Sequence, residues 1–452
     1  MPVYIYDRKR LENWVNKFCL IYSKINKGEE IYKFSEHHIN NGYCFNVEFE
    51  NCISNNLLKT SSFNNDEILQ IILRCRLLRS LDFNFANKLI LAAEYSIDVF
   101  IKQCNPTLFI APRIDSYILD ILDRKLTRKN IKYIGLWRSA FLSNRFFLTK
   151  RGEVNIINNN ISDNEIELLF NQISNFNFKA TSILETKKFT LSLILKKYMY
   201  LYFRDAFLEI KRNFGFYKFG YREMTNRFNV RESSPSLFGL LFPYQFQNFN
   251  LNILNLNFKK NIFIALQVNP ESTIDYYSKN LDFINIEKTL LKLINTLTPH
   301  GYNFFIKDHP NMFGKRDFTF LKQIINNNNV FYVPYYYSSN LLISKCKFIF
   351  TWSGTVCVQA FLSDRVPITV CSPYNVKDEK FIILKNFDDI DFLHNNIMSL
   401  SSSSNNIDSK KILISNILST LLPGNLFLHN NKKFDDNEIE KLIYTLKNNK
   451  II

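Results

Sequence analysis

Along the second half of the 452 residues, apolar and polar positions alternate in a regular way. "NIFIAL" (261–266), "YNFFIK" (302–307), "VFYVP" (330–334), "KFIFTW" (347–352) and "PITVC" (367–371) are short apolar runs bounded by polar or turn residues. Runs of this length read as strands. Between them, "IEKTLLKLINTL" (286–297), "KRDFTFLKQIINN" (315–327), "SSNLLISKC" (338–346) and "TVCVQAFLSD" (355–364) repeat their apolar positions at three and four, the helical period. Strands alternating with helices in this way predict a doubly wound parallel α/β domain.

The first half is less regular. "EIYKF" (30–34) and "CFNVEF" (44–49) read as short strands, and 66–104 as helix without an interrupting proline. "TLFIAP" (107–112), "RIDSYILDILDRKLTRKN" (113–130) and "IKYIGLW" (131–137) give strand, helix and strand, a βαβ unit with parallel strands. Helical pieces at 164–175 and 182–212 lie among aromatic-rich turns, and 229–255, without a clear period, reads as the connection between domains. Helices at 387–399, 408–421 and 435–448 close the chain, and "NNNN" and "SLSSSSNN" are polar turns. The expected architecture is α/β, with two Rossmann-type doubly wound domains facing a ligand cleft. Residues 1–240 form an acceptor-side domain with a helical insertion, 257–400 a nucleotide-binding domain, and 401–452 a helical tail.

Composition narrows the classes. A chain that is 46% hydrophobic and 15% aromatic can bury a large core and is not disordered. The net charge of +16 suits an anionic partner (nucleic acid, a membrane surface or an anionic substrate), although abundant Asn, Ile, Lys and Phe also point to AT-rich coding. Phe and Tyr fall at core spacing rather than interleaved with Lys and Arg, so no nucleic-acid partner is expected. No run of about 18 apolar residues occurs, and "MPVYIYDRKR" is charged too early for a secretory signal. The eight scattered cysteines, with no C-x-x-C pair, read as reduced thiols of a cytoplasmic protein.

In an open parallel sheet, ligands bind beyond the carboxyl ends of the strands, so residues just after each strand matter most. Those in the second domain are Glu271 after the first strand, Lys307, His309 and Pro310 after the second, Ser338 and Ser339 after the third, and Ser353, Gly354 and Thr355 after the fourth. A glycine admits a close ligand, and Ser or Thr opening a helix offers free N–H groups to an anion, or simply caps the helix. A cation or imidazole N–H at a strand end can hold a phosphate or a ribose hydroxyl. Lys315 and Arg316 read as the polar start of the next helix. For a general base, Asp115 follows the strand "TLFIAP", and Glu36, His37 and His38 follow "IYKF" as rivals. Adjacent His37 and His38 rarely converge on one ion, and no Cys/His spacing fits zinc, so no metal site is expected. Neither G-x-x-x-x-G-K-[ST] nor G-x-G-x-x-G occurs. The basic run Arg124, Lys125, Arg128 and Lys129 reads as a solvated helix end.

"FIALQVNPEST", "FFIKDHP" and "FIFTWSGTVCVQAFLSDRVPITV", in that order over 260–372, resemble the capsule polysaccharide biosynthesis family of GT-B glycosyltransferases, which includes capsular Kdo transferases. More distantly they are similar to bacterial sialyltransferases with an HP motif and to CDP-glycerol polymerases. The resemblance implies that His309, Pro310, Ser353, Gly354 and Thr355 hold the nucleotide part of an activated sugar. It implies a CMP- or UDP-type donor as substrate with no bound cofactor or metal, and a surface polysaccharide or lipid-linked glycan as acceptor. The basic surface would then help hold a cytoplasmic enzyme at the inner face of an anionic membrane, or on an anionic glycan. The family pattern S-G-T-x-G-x-E-A is altered here. Cys357 replaces the second glycine, and Gln359 replaces the glutamate, keeping hydrogen bonding but losing charge.

Overall fold

The computed structural model describes the chain apart from residues 1, 9–10, 27–28, 37–41, 58–59, 155–160, 176–189, 214–236, 247, 256, 269–271, 315, 372–380, 401–406 and 427–434. It is mixed α/β, with two parallel-rich sheets in two compact units. One unit comprises Met1–Asn158, Lys211–Phe228 and Thr420–Ile452, and the other Asn159–Ile210 and Asn229–Ser419.

In the first unit, β1 (Val3–Asp7), β2 (Ile31–Ser35), β3 (Gly42–Cys44), β4 (Leu108–Pro112) and β5 (Lys132–Arg138) pair in parallel in the order β3-β2-β1-β4-β5. Antiparallel β6 (Arg145–Lys150) continues the sheet, flanked by β14 (Leu421–Pro423) and by β7 (Glu153–Val154). The sheet grows outward in both directions from β1 and β4, so the topological switch point lies between them.

Two local readings of the sequence change here. β1 was not recognised as a strand. All five of its residues are buried, but two tyrosines and a closing aspartate make "VYIYD" less apolar than the runs of the second unit. "CFNVEF" is mostly helix: Phe45–Ser54 is helical and only Cys44 belongs to β3. Phe45, Phe49, Cys52 and Ile53 are its buried apolar positions, a 3.6-residue period that a six-residue window cannot separate from alternation.

The chain's end also departs from a separate helical tail. β14 extends the first sheet, and the helix Asp436–Asn448 puts Ile439, Leu442, Ile443 and Leu446 into one core with Trp14, Val15, Phe18 and Ile110. The helix is amphipathic, and its apolar face is buried in this core.

In the second unit, β8 (Asn261–Ala265), β9 (Asn303–Lys307), β10 (Val330–Val333), β11 (Phe348–Thr351), β12 (Val366–Thr369) and β13 (Ile382–Ile383) are all parallel, in the order β10-β9-β8-β11-β12-β13. Counted along the chain this is 3-2-1-4-5-6, the doubly wound order, with its switch point between β8 and β11. Side chains alternate between two cores, as strand geometry requires. Ile262, Ile264, Phe304, Ile306, Phe348 and Phe350 enter one, and Phe263, Phe305 and Ile349 the other. Short β13 completes this sheet beyond the strands read from sequence. Leu442→Ala should destabilise the first unit by about 2–5 kcal/mol, read as an earlier denaturant transition, because the cavity opens in a core built from both chain ends.

Candidate functional site

The carboxyl rim of the second sheet is organised by one buried ion pair. β9 ends at Lys307, and Asp308 and His309 follow. The Arg316 guanidinium grips the Asp308 carboxylate with both arms, Nε to Oδ2 at 3.0 Å and Nη2 to Oδ1 at 2.7 Å; both side chains are nearly inaccessible. Nη2 also donates to the Gln267 carbonyl at 2.8 Å, tying the ends of β8 and β9 together. Arg316 therefore does not start the next helix, which runs Phe318–Ile325 and is capped by Asp317. Burial acts to lower the Arg316 pKa, but the Asp308 charge and hydrogen bonds raise it above the ordinary value, so the guanidinium stays charged. Between them, Gly314 sits at φ +73°, and a Cβ there would lie 2.1 Å from Leu240 Cδ2.

Across the switch point, the Gln267 side-chain amide donates to the Ser353 carbonyl and approaches its hydroxyl at 3.4 Å. Thr273 Oγ1 donates to Gln267 Oε1 at 3.3 Å. Gly354 has φ 111° and ψ −173°, a region essentially reserved for glycine. It precedes the helix Thr355–Leu362, whose first turn has no side-chain cap, leaving N–H groups and the positive end of the dipole on the rim.

Lys307 is buried and donates from Nζ to Ser339 Oγ at 3.1 Å. Burial lowers its pKa to about 8, against the opposing pull of Asp308. His309 is half-buried, and its backbone N–H donates to Asp308 Oδ1 at 2.7 Å. Burial pushes its imidazole down to about 4, with Asp308 opposing and Lys307 and Arg316 assisting, so the ring is neutral at pH 7. Pro310 opens a one-turn 3-10 helix, Pro310–Met312. Ser338 is exposed and makes no side-chain cap. Buried Gln359 donates to Asn340 Oδ1 at 3.4 Å. The structure thus brings Lys307, His309, Ser339, Ser353, Gly354 and Thr355 to one rim. Glu271 lies outside the described residues.

The first sheet has a rim of its own. Arg8, just after β1, holds Asp115, after β4, by a two-pronged ion pair, one arm at 2.7 Å. Burial works to raise the Asp115 pKa, but Arg8, with Arg113 and Arg76 behind it, brings the pKa below the ordinary value. Arg113 in turn stacks on Trp137, 3.8 Å from the ring centroid. Asp7, at the end of β1, is fully buried, and burial raises its pKa from 3.8 to about 6, with Lys33 opposing and Glu12 assisting. Sequence reading missed Asp7 together with its strand; a charge closing an aromatic run, "VYIYD", was the available signal. Glu36 is buried and accepts from the Tyr6 hydroxyl, while its backbone carbonyl accepts from Asn46, which leaves it a structural carboxylate. His37 and His38 lie outside the described residues.

The basic run after Asp123 is solvated only in its second half. Lys125 is buried between Glu94 and Asp98 and Arg124 pairs with Asp120, whereas Arg128, paired with Glu67, and Lys129 are exposed. Among the described residues no group of three or more His, Cys, Asp or Glu is placed to hold a metal ion.

No protein-family model and no curated protein matches the chain in sequence. Solved structures do match. A β-Kdo 2,7 transferase, KpsC from Thermosulfurimonas dismutans, is 10% identical with a TM-score of 0.36, over 98% of this chain and 99% of that one. A UDP-GlcNAc 2-epimerase from Methanocaldococcus jannaschii, in complex with UDP-GlcNAc and UDP, is 13% identical with a TM-score of 0.27, over 93% and 99%. A glycosyltransferase from Rickettsia africae is 11% identical with a TM-score of 0.28, over 99% and 97%. Since these scores are all below 0.5, the functional reading is carried by this chain's own strand order and rim residues.

Arg316→Met should cost about 3–5 kcal/mol in denaturant unfolding, because it leaves the Asp308 charge buried alone; adding Asp308→Leu should restore part of the loss. Asp7→Asn should act in the opposite sense. A carboxyl whose pKa is raised by folding stabilises the native state fully below the unfolded pKa and loses that contribution as pH climbs to the folded one. The variant should therefore gain on the wild type between pH 3.8 and about 6, by at most about 3 kcal/mol, and keep the gain above.

Proposed function

We propose that this chain is a GT-B glycosyltransferase that moves a sugar from a CMP- or UDP-type donor onto a capsular or other surface glycan, without a resident metal or cofactor. The observation that carries this reading is the gathering of Gln267, Lys307, His309 and Ser353–Thr355 on the carboxyl rim of a 3-2-1-4-5-6 sheet, two of the clusters flanking its switch point. An open rim with an uncapped helix start and a glycine-only turn suits a phosphate group. Lys307 adds positive charge, and neutral His309 offers a hydrogen bond to phosphate or ribose without competing for a proton. Gln359, held by Asn340, supports the turn rather than supplying the family's carboxylate charge.

In the transfer, the bond between sugar and phosphate breaks and its electron pair leaves with the nucleotide. The rim's N–H groups and Lys307 stabilise that developing charge in place of a metal. The first unit supplies the acceptor side. Asp115, clamped by Arg8, keeps its charge below the ordinary carboxylate range and accepts hydrogen bonds rather than protons. Asp7, which retains a proton up to about pH 6, has the proton affinity suited to a general base.

A thermal-shift panel of CMP, CDP, UDP and GDP tests the reading, since a ligand of the native state raises Tm. A cytidine or uridine nucleotide should stabilise the protein, and Lys307→Met, His309→Ala and Gly354→Val should each remove that shift. Affinity should fall as pH rises past about 8, where free Lys307 loses its charge. No nucleotide response, or one indifferent to these changes, overturns the proposal. With a nucleotide sugar, glycoside product supports it; an epimerised sugar or polyol phosphate points to another GT-B activity.

A further inference from the structure

Among the described residues, the helix Leu191–Asn213 buries one apolar face and leaves a second exposed. Ile194 and Leu201 are buried, and Ile194 joins Leu240, Phe313 and Tyr335 in a small core with Tyr198 at its edge. Phe313 follows the His309–Pro310 turn and Tyr335 precedes Ser338 and Ser339, so this face anchors the helix beside the rim. The opposite face carries Leu191, Leu195, Met199, Phe203 and Phe207, each four residues from the last, with Tyr200 and Tyr202 beside them. All seven are between 42% and 63% exposed. Residues four apart stack along one side of a helix, so the stripe runs for about 24 Å. An exposed apolar stripe of this length marks an interaction surface.

We propose that this stripe is a docking face for an anionic phospholipid surface. Charge complementarity selects the occupant. The chain carries a net charge of +16, and exposed Lys196 lies within the stripe, one turn before Met199 and Tyr200. In a protein–protein core that ammonium is a desolvation penalty, whereas at a bilayer surface it reaches up to the lipid phosphates while its stem stays among the apolar side chains. Leu, Met, Phe and Tyr on one face with Lys among them is the chemistry of a helix lying in the headgroup layer. The helix lies on the bilayer rather than crossing it: among the described residues no helix is long and apolar enough to span. Docking of this kind holds the second unit's rim beside a lipid-linked glycan. That consequence rests on the glycosyltransferase reading, and membrane binding does not.

Co-sedimentation of the full chain with phosphatidylcholine vesicles, with and without phosphatidylglycerol, tests the dock. Binding should require the anionic lipid and weaken at high salt. A variant carrying Leu195→Ser, Met199→Ser, Phe203→Ser and Phe207→Ser should bind at least about tenfold more weakly, with Tm and nucleotide response kept. Lys196→Glu should weaken binding without touching the apolar stripe. Wild-type protein that ignores anionic vesicles, or a quadruple variant that binds as well, overturns the proposal. So does a dimer in light scattering that the four serines dissociate, which assigns the stripe to a second copy. A clear fall in the variant's Tm assigns it to packing within the chain and overturns the proposal too. A lost nucleotide shift with intact vesicle binding counts against the enzymatic reading alone.

Discussion

The rim of the second unit depends on a buried guanidinium, nearly cut off from solvent. Arg316 satisfies both oxygens of Asp308 and still reaches the Gln267 carbonyl, so one side chain holds the ends of two neighbouring strands at a fixed spacing. The pair is a poor source of stability, because desolvating two charges cancels most of their attraction. What it provides is placement. Asp308 orients the His309 backbone, while Gln267, held from below by Arg316, reaches across the switch point to Ser353. The charges that shape the site are thus spent on one another. Lys307, whose ammonium donates to the Ser339 hydroxyl, keeps a lowered pKa and the capacity to gain from an anion.

The same winding occurs twice with different electrostatics. Both sheets start at a central strand and grow outward, which puts β1 beside β4 and β8 beside β11. In the second unit that junction is bridged by a neutral amide, beside a helix start without a side-chain cap. In the first it is bridged by the Arg8–Asp115 ion pair, with a buried carboxyl, Asp7, at the strand's end. A neutral junction leaves room for an anion's charge to be met by N–H groups. A junction already holding a charge pair is suited to polar groups and proton transfer, which fits the division into donor and acceptor sides proposed above.

Much of the second sheet was legible because each strand is short, apolar and separated by an amphipathic helix, and the helical and strand periods differ. Its rim residues were legible through the rule that ligands gather where strands end. Arg316 was not: seven residues past the histidine turn, its charge looked like an ordinary helix start, and only the fold back toward Gln267 explains it. Lys125 was hidden in the same way, since charge in a sequence suggests water until a partner is brought to it. Asp7 was concealed because its strand, "VYIYD", is richer in polar atoms than the apolar runs of the second sheet.

From the sequence alone came the alternation of elements in the second half, the parallel sheet it demands and the positions of the strand-end clusters. All of these follow from local periodicity and from the short reach of a polypeptide between neighbouring elements. Tertiary structure decided which strands became neighbours, where the switch points fall, which carboxylates are clamped and which keep a proton, and that the last thirty or so residues complete the first core. These depend on contacts between residues hundreds of positions apart, as when Leu442 meets Trp14 and Phe18. Burial and paired charge are properties of such contacts, and a pattern along the chain does not contain them.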